Sequence, residues 1–146
     1  GNPTGAVMPL AEWATLFELS DRHGFVIASD ECYSEIYFRD EPPLGALQAS
    51  QALGRPAFRN LVALTSLSKR SNVPGMRSGF VAGDAQILKD FLLYRTYHGS
   101  AMSRVVQAAS IAACSASVRT SSSIAGTSAV RFGAALANGN PSCRAA

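Results

Sequence analysis

Three short apolar runs, each stopped abruptly by polar residues or glycine, limit the architectures open to this chain. They are Phe25-Val26-Ile27-Ala28, Leu61-Val62-Ala63-Leu64 and Gly79-Phe80-Val81-Ala82-Gly83. Unbroken apolar runs of this length do not alternate as a half-solvated strand would, and they fit buried strands of a parallel sheet. The first run ends at Ser29-Asp30-Glu31 and the second at Thr65-Ser66. Around them lie helical patterns. Residues 9–22 set Leu10, Trp13 and Phe17, then Leu16 and Leu19, at helical spacing, with Pro9 suited to the first turn and Gly24 to the stop. Trp13 and Phe17 belong to one stripe and are expected in the core. Residues 84–98 and 101–112 also read as helices. Helices combined with short buried strands indicate an α/β sheet, and in such sheets a ligand lies outside the strand ends, where Asp30 and Ser66 would be.

Composition narrows the class. The chain has 146 residues, 47% hydrophobic and 16% charged, which is enough apolar material for a core. No apolar run reaches the ~18 residues of a membrane span. The chain opens at Gly1 without a charged segment followed by an apolar one, so no signal peptide is expected. Cys32, Cys114 and Cys143 are too few for a disulfide scaffold and suit a reducing, cytoplasmic compartment. The net charge is +3, but all ten acids lie within residues 1–90. Beyond them Arg95, Arg104, Arg119, Arg131 and Arg144 are scattered without interleaved aromatics, which is no nucleic-acid footprint. Residues 113–146 are mostly Ala, Ser and Gly with no Asp, Glu or Lys, and show no clear period. A disordered tail or an out-of-frame translation would both produce such a stretch.

Three polar clusters carry the chemistry. Asn2-Pro3-Thr4-Gly5 is by itself a turn signal. Asp30-Glu31-Cys32-Tyr33 follows a buried strand, where a lone acid is often only a helix cap. The third cluster is Ser66-Leu67-Ser68-Lys69, then five residues, then Gly75-Met76-Arg77-Ser78-Gly79. Hydroxyls, a guanidinium and glycines around one strand end make a plausible anion site. Lysine is also the side chain that bonds covalently to carbonyl compounds. His23 and His98 lack metal-ligand spacing, so no metal site is expected. Arg70 and Lys89 read as surface charges, and Glu31 and Glu35 as solvent-facing or capping.

In this order the clusters are far more specific than any one of them. Residues 1–112 resemble part of the large domain of class I pyridoxal-phosphate-dependent aminotransferases (fold type I), a mostly parallel sheet flanked by helices. The surrounding Ser29-Asp30-Glu31-Cys32-Tyr33-Ser34-Glu35-Ile36-Tyr37 and Tyr97-His98-Gly99-Ser100-Ala101-Met102 are similar to proteobacterial succinyldiaminopimelate aminotransferases of lysine biosynthesis.

The resemblance implies roles. Lys69 would bond to the cofactor aldehyde and then, released by the substrate amine, shuttle a proton as general base and acid. Asp30 would keep the pyridine nitrogen protonated. Tyr33 and Asn2 would hydrogen-bond the phenolic oxygen. Ser66, Ser68 and Arg77 would hold the phosphate, with Gly75 and Gly79 allowing close backbone approach.

It further implies amino and keto acids as substrates and a homodimer as the intact assembly. The phosphate-binding loop and ring-stacking aromatic that the family places earlier have no counterpart in this sequence. None of Arg119, Arg131 and Arg144 stands in the context of the family's substrate-carboxylate arginine. The expectation is therefore a partial chain, inactive alone and prone to aggregate. A carbon–sulfur lyase or synthase of the same fold, or an inactive remnant, are the alternatives.

Overall fold

The computed structural model describes residues 1–121, with side chains through residue 115. Helix α1 (Leu10–His23) begins after Pro9 and closes on Gly24, whose left-handed conformation (φ 74°) sends its N–H back to Ser20 O. The Ser20 hydroxyl, fully buried, donates to Phe25 O at 2.6 Å and fixes the exit of the chain. Strand β1 (Ile27–Asp30) follows. Phe25 and Val26, expected inside that strand, lie before it and are exposed, because pairing starts only at Ile27↔Leu61.

A short helix absent from the sequence reading, α2 (Ala46–Ala52), comes next. It buries Ala46, Leu47, Ala49 and Ser50. Its first turn is fastened from both sides: Gln48 Oε1 accepts from Gly45 N at 2.9 Å, and Glu31 Oε1 accepts from Ala46 N at 2.6 Å. Glu31 is thus a cap, one of the two roles its position suggested.

Strand β2 (Leu61–Ser66) leads into the single turn α3 (Leu67–Arg70) and a 3-10 turn at Pro74–Met76. Strand β3 (Gly79–Gly83), α4 (Ala85–Tyr97) and α5 (Arg104–Ser121) complete the described chain. Helix α5 runs past residue 112, where the sequence showed no clear period. The rest of the Ala/Ser/Gly-rich stretch, 122–146, lies outside the described residues.

The sheet order is β1-β2-β3. β1 and β2 are parallel, with Asp30 opposite Leu64. β3, expected as a buried parallel strand, instead runs antiparallel to β2 and is only partly buried, with Gly79 opposite Ser66 and Gly83 opposite Val62. The short link through α3 folds the chain back beside the strand it has left, whereas a parallel return needs a longer crossover to the other end of the sheet.

Trp13 and Phe17 of α1, with rings 5.6 Å apart, pack with Ala46, Leu47 and Ala49 of α2 over Ile27, Leu61 and Ala63. Leu10 and Leu19, on the same helix, are exposed. Arg55 closes the rim, its guanidinium 5.1 Å from the Phe17 ring centroid and paired with Asp21. That pairing holds the Asp21 carboxyl below its ordinary value, chiefly through the Arg55 hydrogen bonds. Leu61, Val62 and Ala63 are all buried although successive side chains point to opposite faces, so both faces of the sheet are covered at β2. Among the described residues no helix is long and apolar enough to cross a membrane, and no cluster of His, Cys, Asp and Glu is arranged to hold a metal ion.

Candidate active site

The strand register gathers the polar clusters. Asp30 ends β1, Ser66 ends β2 beside it, and β3 begins at the same end because Gly79 lies opposite Ser66. Arg77, two residues before Gly79, and Lys69, three after Ser66, therefore share that end of the sheet.

Asp30 is exposed, yet its carboxylate has a fixed partner. Oδ1 accepts from Cys32 N at 3.1 Å, and this contact, followed by the Cys32 thiol, holds the carboxyl below the usual value. Burial, with the neighbouring Asp30 charge, pushes the Cys32 thiol the other way, so it stays protonated rather than nucleophilic. Past Cys32 the chain turns, and Tyr33 presents its ring to Lys69, whose Nζ lies 5.6 Å from the ring centroid. Lys69 thus lies against Tyr33, three residues past Asp30, and is itself exposed.

The serines form a joined set. Ser66 caps α3: its Oγ accepts from Ser68 N at 3.1 Å, and its one proton has two acceptors in reach, Ser68 Oγ at 2.9 Å and Ser78 O at 3.2 Å. Gly79 is required here. A Cβ on it would stand 2.7 Å from Thr65 O, so only glycine lets β3 lie this close to the end of β2. A Cβ on Gly75 would meet no protein atom within 4 Å, so this position is open on its protein side. Arg77 occupies the left-handed region (φ 51°, ψ 44°), with its guanidinium exposed and donating to Pro74 O at 3.2 Å. It lines an open cavity of about 350 Å³ with Gly79, Arg95, Ser100, Ala101, Met102 and Gln107.

Asn2 is not brought into this set. It lies exposed in its own turn, closed by Gly5 N donating to Gly1 O at 2.6 Å, with a cis bond to Pro3. Arg70 is also not the solvated charge its position suggested. Its Nε donates to Glu35 Oε1 at 3.3 Å and its Nη1 reaches Cys114 Sγ on α5 at 3.6 Å. Ser78 and Ser110, whose hydroxyls meet 2.7 Å apart, were unassigned from sequence. Ser78 at least lies within the Arg77-Ser78-Gly79 run, whereas nothing in the sequence marks Ser110.

The model of the family described as "Aminotransferase class I and II" matches residues 1–136. The chain belongs to that family. A solved aminotransferase structure from Neisseria meningitidis is 66% identical, with a TM-score of 0.74 over 77% of this chain and 28% of that one. The transaminase OxyQ of Streptomyces rimosus, named for 4-dedimethylamino-4-oxo-anhydrotetracycline, is 37% identical over 77% of this chain and 30% of its own length. LL-diaminopimelate aminotransferase 2 of Nostoc sp. is 31% identical over 77% of this chain and 27% of its own. The chain thus spans less than a third of these aminotransferases. Its α/β sheet with flanking helices is a piece of the fold they share.

Proposed function

We propose that this chain carries the cofactor-holding part of a pyridoxal-phosphate-dependent aminotransferase, which moves an amino group from an amino acid, glutamate foremost, to a keto acid. The observation that carries the reading is the donor set at the Asp30–Ser66 end of the sheet, in a chain of the aminotransferase family. The residues suit pyridoxal phosphate on chemical grounds. A carboxylate held ionised matches a protonated pyridine nitrogen, an exposed lysine amine matches an aldehyde, and two hydroxyls with a guanidinium match a phosphate dianion.

When bound, the cofactor supplies a protonated ring that withdraws the electron pair released at the substrate Cα. The protein's groups do the rest. Asp30, kept charged by the Cys32 N–H, holds the proton on the ring nitrogen. Lys69 would anchor the aldehyde, and its amine, released when the substrate amine takes its place, would take the proton from the substrate Cα as base and return it as acid. Tyr33, against which the lysine already lies, would donate to the phenolic oxygen, whereas Asn2, set apart in its own turn, is not placed to join it here. Ser66, Ser68 and Arg77 hold the phosphate, Arg77 supplying the charge.

The finer reading is a keto acid whose amination gives a diaminopimelate-type product, N-succinyl-diaminopimelate above all, as in lysine biosynthesis. A diaminopimelate aminotransferase among the relatives and the similarity around residues 29–37 and 97–102 support it. Amino and keto acids as substrates, a homodimer and a cytoplasmic location belong to the same reading.

The test is to incubate the chain with pyridoxal phosphate, reduce with borohydride and locate the adduct by peptide mass spectrometry. A stoichiometric adduct at Lys69, absent in Lys69→Ala, is expected. Label spread over Lys89 and the N-terminus, or none, would sink the assignment.

A further inference from the structure

We infer that Ser110, on α5, is a positioning residue for the phosphate-holding segment around Ser66 and Arg77. The inference rests on the cofactor reading above and adds a residue that touches none of the groups assigned to the cofactor.

Ser78 is the joint. It stands between Arg77 and Gly79 and is 5% exposed. Its carbonyl accepts twice, from Leu67 N at 3.1 Å and from Ser66 Oγ at 3.2 Å. Its hydroxyl lies 2.7 Å from Ser110 Oγ. The direction of that bond follows from proton counting, since each serine hydroxyl has one proton. Ser110 donates its own to Val106 O at 2.7 Å, so the proton between the two serines belongs to Ser78. A single file therefore runs from the α5 backbone through Ser110 and Ser78 to the carbonyl that orients the Ser66 hydroxyl.

Removing the Ser110 oxygen leaves a buried hydroxyl donor without its acceptor, which costs more than the bond itself was worth. The Ser78 side chain then has reason to turn, and the peptide on either side turns with it. On one side is Arg77, held in a left-handed conformation that non-glycine residues adopt only under constraint. On the other is Gly79, whose close approach to Thr65 O leaves no slack. The disturbance thus falls on the guanidinium and on the Ser66 hydroxyl. Tyr33 and Asp30 lie outside this file of bonds, and Lys69 is reached only through Leu67, whose N–H shares the Ser78 carbonyl.

That difference supplies the test. Equilibrium uptake of pyridoxal phosphate, and of pyridoxal, which lacks the phosphate, is measured for the unaltered chain, Ser110→Ala and Ser110→Thr, with the adduct trapped at Lys69. Ser110→Ala is expected to weaken pyridoxal phosphate about 5-fold or more, the lower end of what an unsatisfied buried donor costs. Pyridoxal should stay within about 2-fold on the same scale, and the threonine hydroxyl should restore the phosphate-dependent part. Equal weakening of both compounds would mean a general folding role and overturn the inference, as would no weakening of either. If the unaltered chain traps neither compound at Lys69, the cofactor reading fails and takes the inference with it. If it traps pyridoxal phosphate there and Ser110→Ala matches it, only the inference fails.

Discussion

Asp30 shows how one backbone contact can set the charge of a side chain that lies in solvent. The Cys32 N–H is the larger influence holding its carboxyl low, and the Cys32 thiol the smaller. Cys32→Ala removes the thiol and keeps the N–H, so the Asp30 titration should move up, part of the way to its ordinary value; carboxyl NMR reads this, and an unmoved titration would exclude the thiol. The sign for stability follows. A depressed carboxyl contributes stability above its unfolded pKa and loses it as pH falls through the folded one, so Cys32→Ala should make this acid loss smaller and complete at higher pH. Asp30→Asn keeps the shape and removes the charge. In an active aminotransferase containing this segment, transamination should drop about 10²-fold, the scale of one lost electrostatic partner, while label at Lys69 persists. Lost labelling would make Asp30 structural instead. The shared strand end of these residues was legible because they are local in sequence: an acid at a strand end, and a lysine and arginine spaced around one turn. Arg70 was not legible, because its partners Glu35 and Cys114 come from segments far apart in the chain.

At the scale of elements, sequence period identified α1, β2, β3 and α4 and missed what only packing creates. Helix α2 spans seven residues, and an isolated helix shorter than about 12 is marginal in water. It exists because Ala46, Leu47 and Ala49 have the Trp13–Phe17 face to bury against, and because Glu31 arrives from another segment to cap it. The reverse error was to read Phe25 and Val26 as strand, since composition alone does not say where pairing begins. Helix α4 was readable because Asp84 marks its start. Its carboxylate accepts from Gln86 N at 2.8 Å and Ile87 N at 3.3 Å, and also from Asn60 N at 2.8 Å. The Asn60 bond is the main reason this carboxyl sits low. Asp84→Ala should therefore cost about 1–2 kcal/mol, the upper range for a cap, in denaturant unfolding. A loss no larger than that of an exposed alanine substitution would show that Asn60 finds another partner. The same depressed carboxyl contributes stability above its unfolded pKa and loses it as pH falls through the folded one, so the deficit of Asp84→Ala should shrink in acid.

For the molecule as a whole, the described chain divides into a part that buries itself and a part that does not. Helices α1 and α2 close over the sheet, whereas α4 has no buried residue. Phe91, Leu92, Leu93, Tyr94 and Tyr97 are all exposed, Leu93 by 61% and Tyr97 by 80%. Leu93 and Tyr97 stand four apart, hence on one face of the helix, and Val105 and Ile111 of α5 are exposed as well. An apolar surface of this kind on a soluble protein drives association. The register of the sheet offers a second route, because β1 is paired only with β2 and β3 only with β2 among the described strands. The two routes separate by substitution. Leu93→Lys with Tyr97→Lys charges the α4 face and leaves the strand edges untouched. If the helix face dominates, sedimentation velocity should show concentration-dependent association of the 146-residue chain, much reduced in the double variant. Association undiminished by the two lysines would shift the cause to the strand edges. A chain monomeric at every concentration would mean that neither exposed surface is sticky enough to matter.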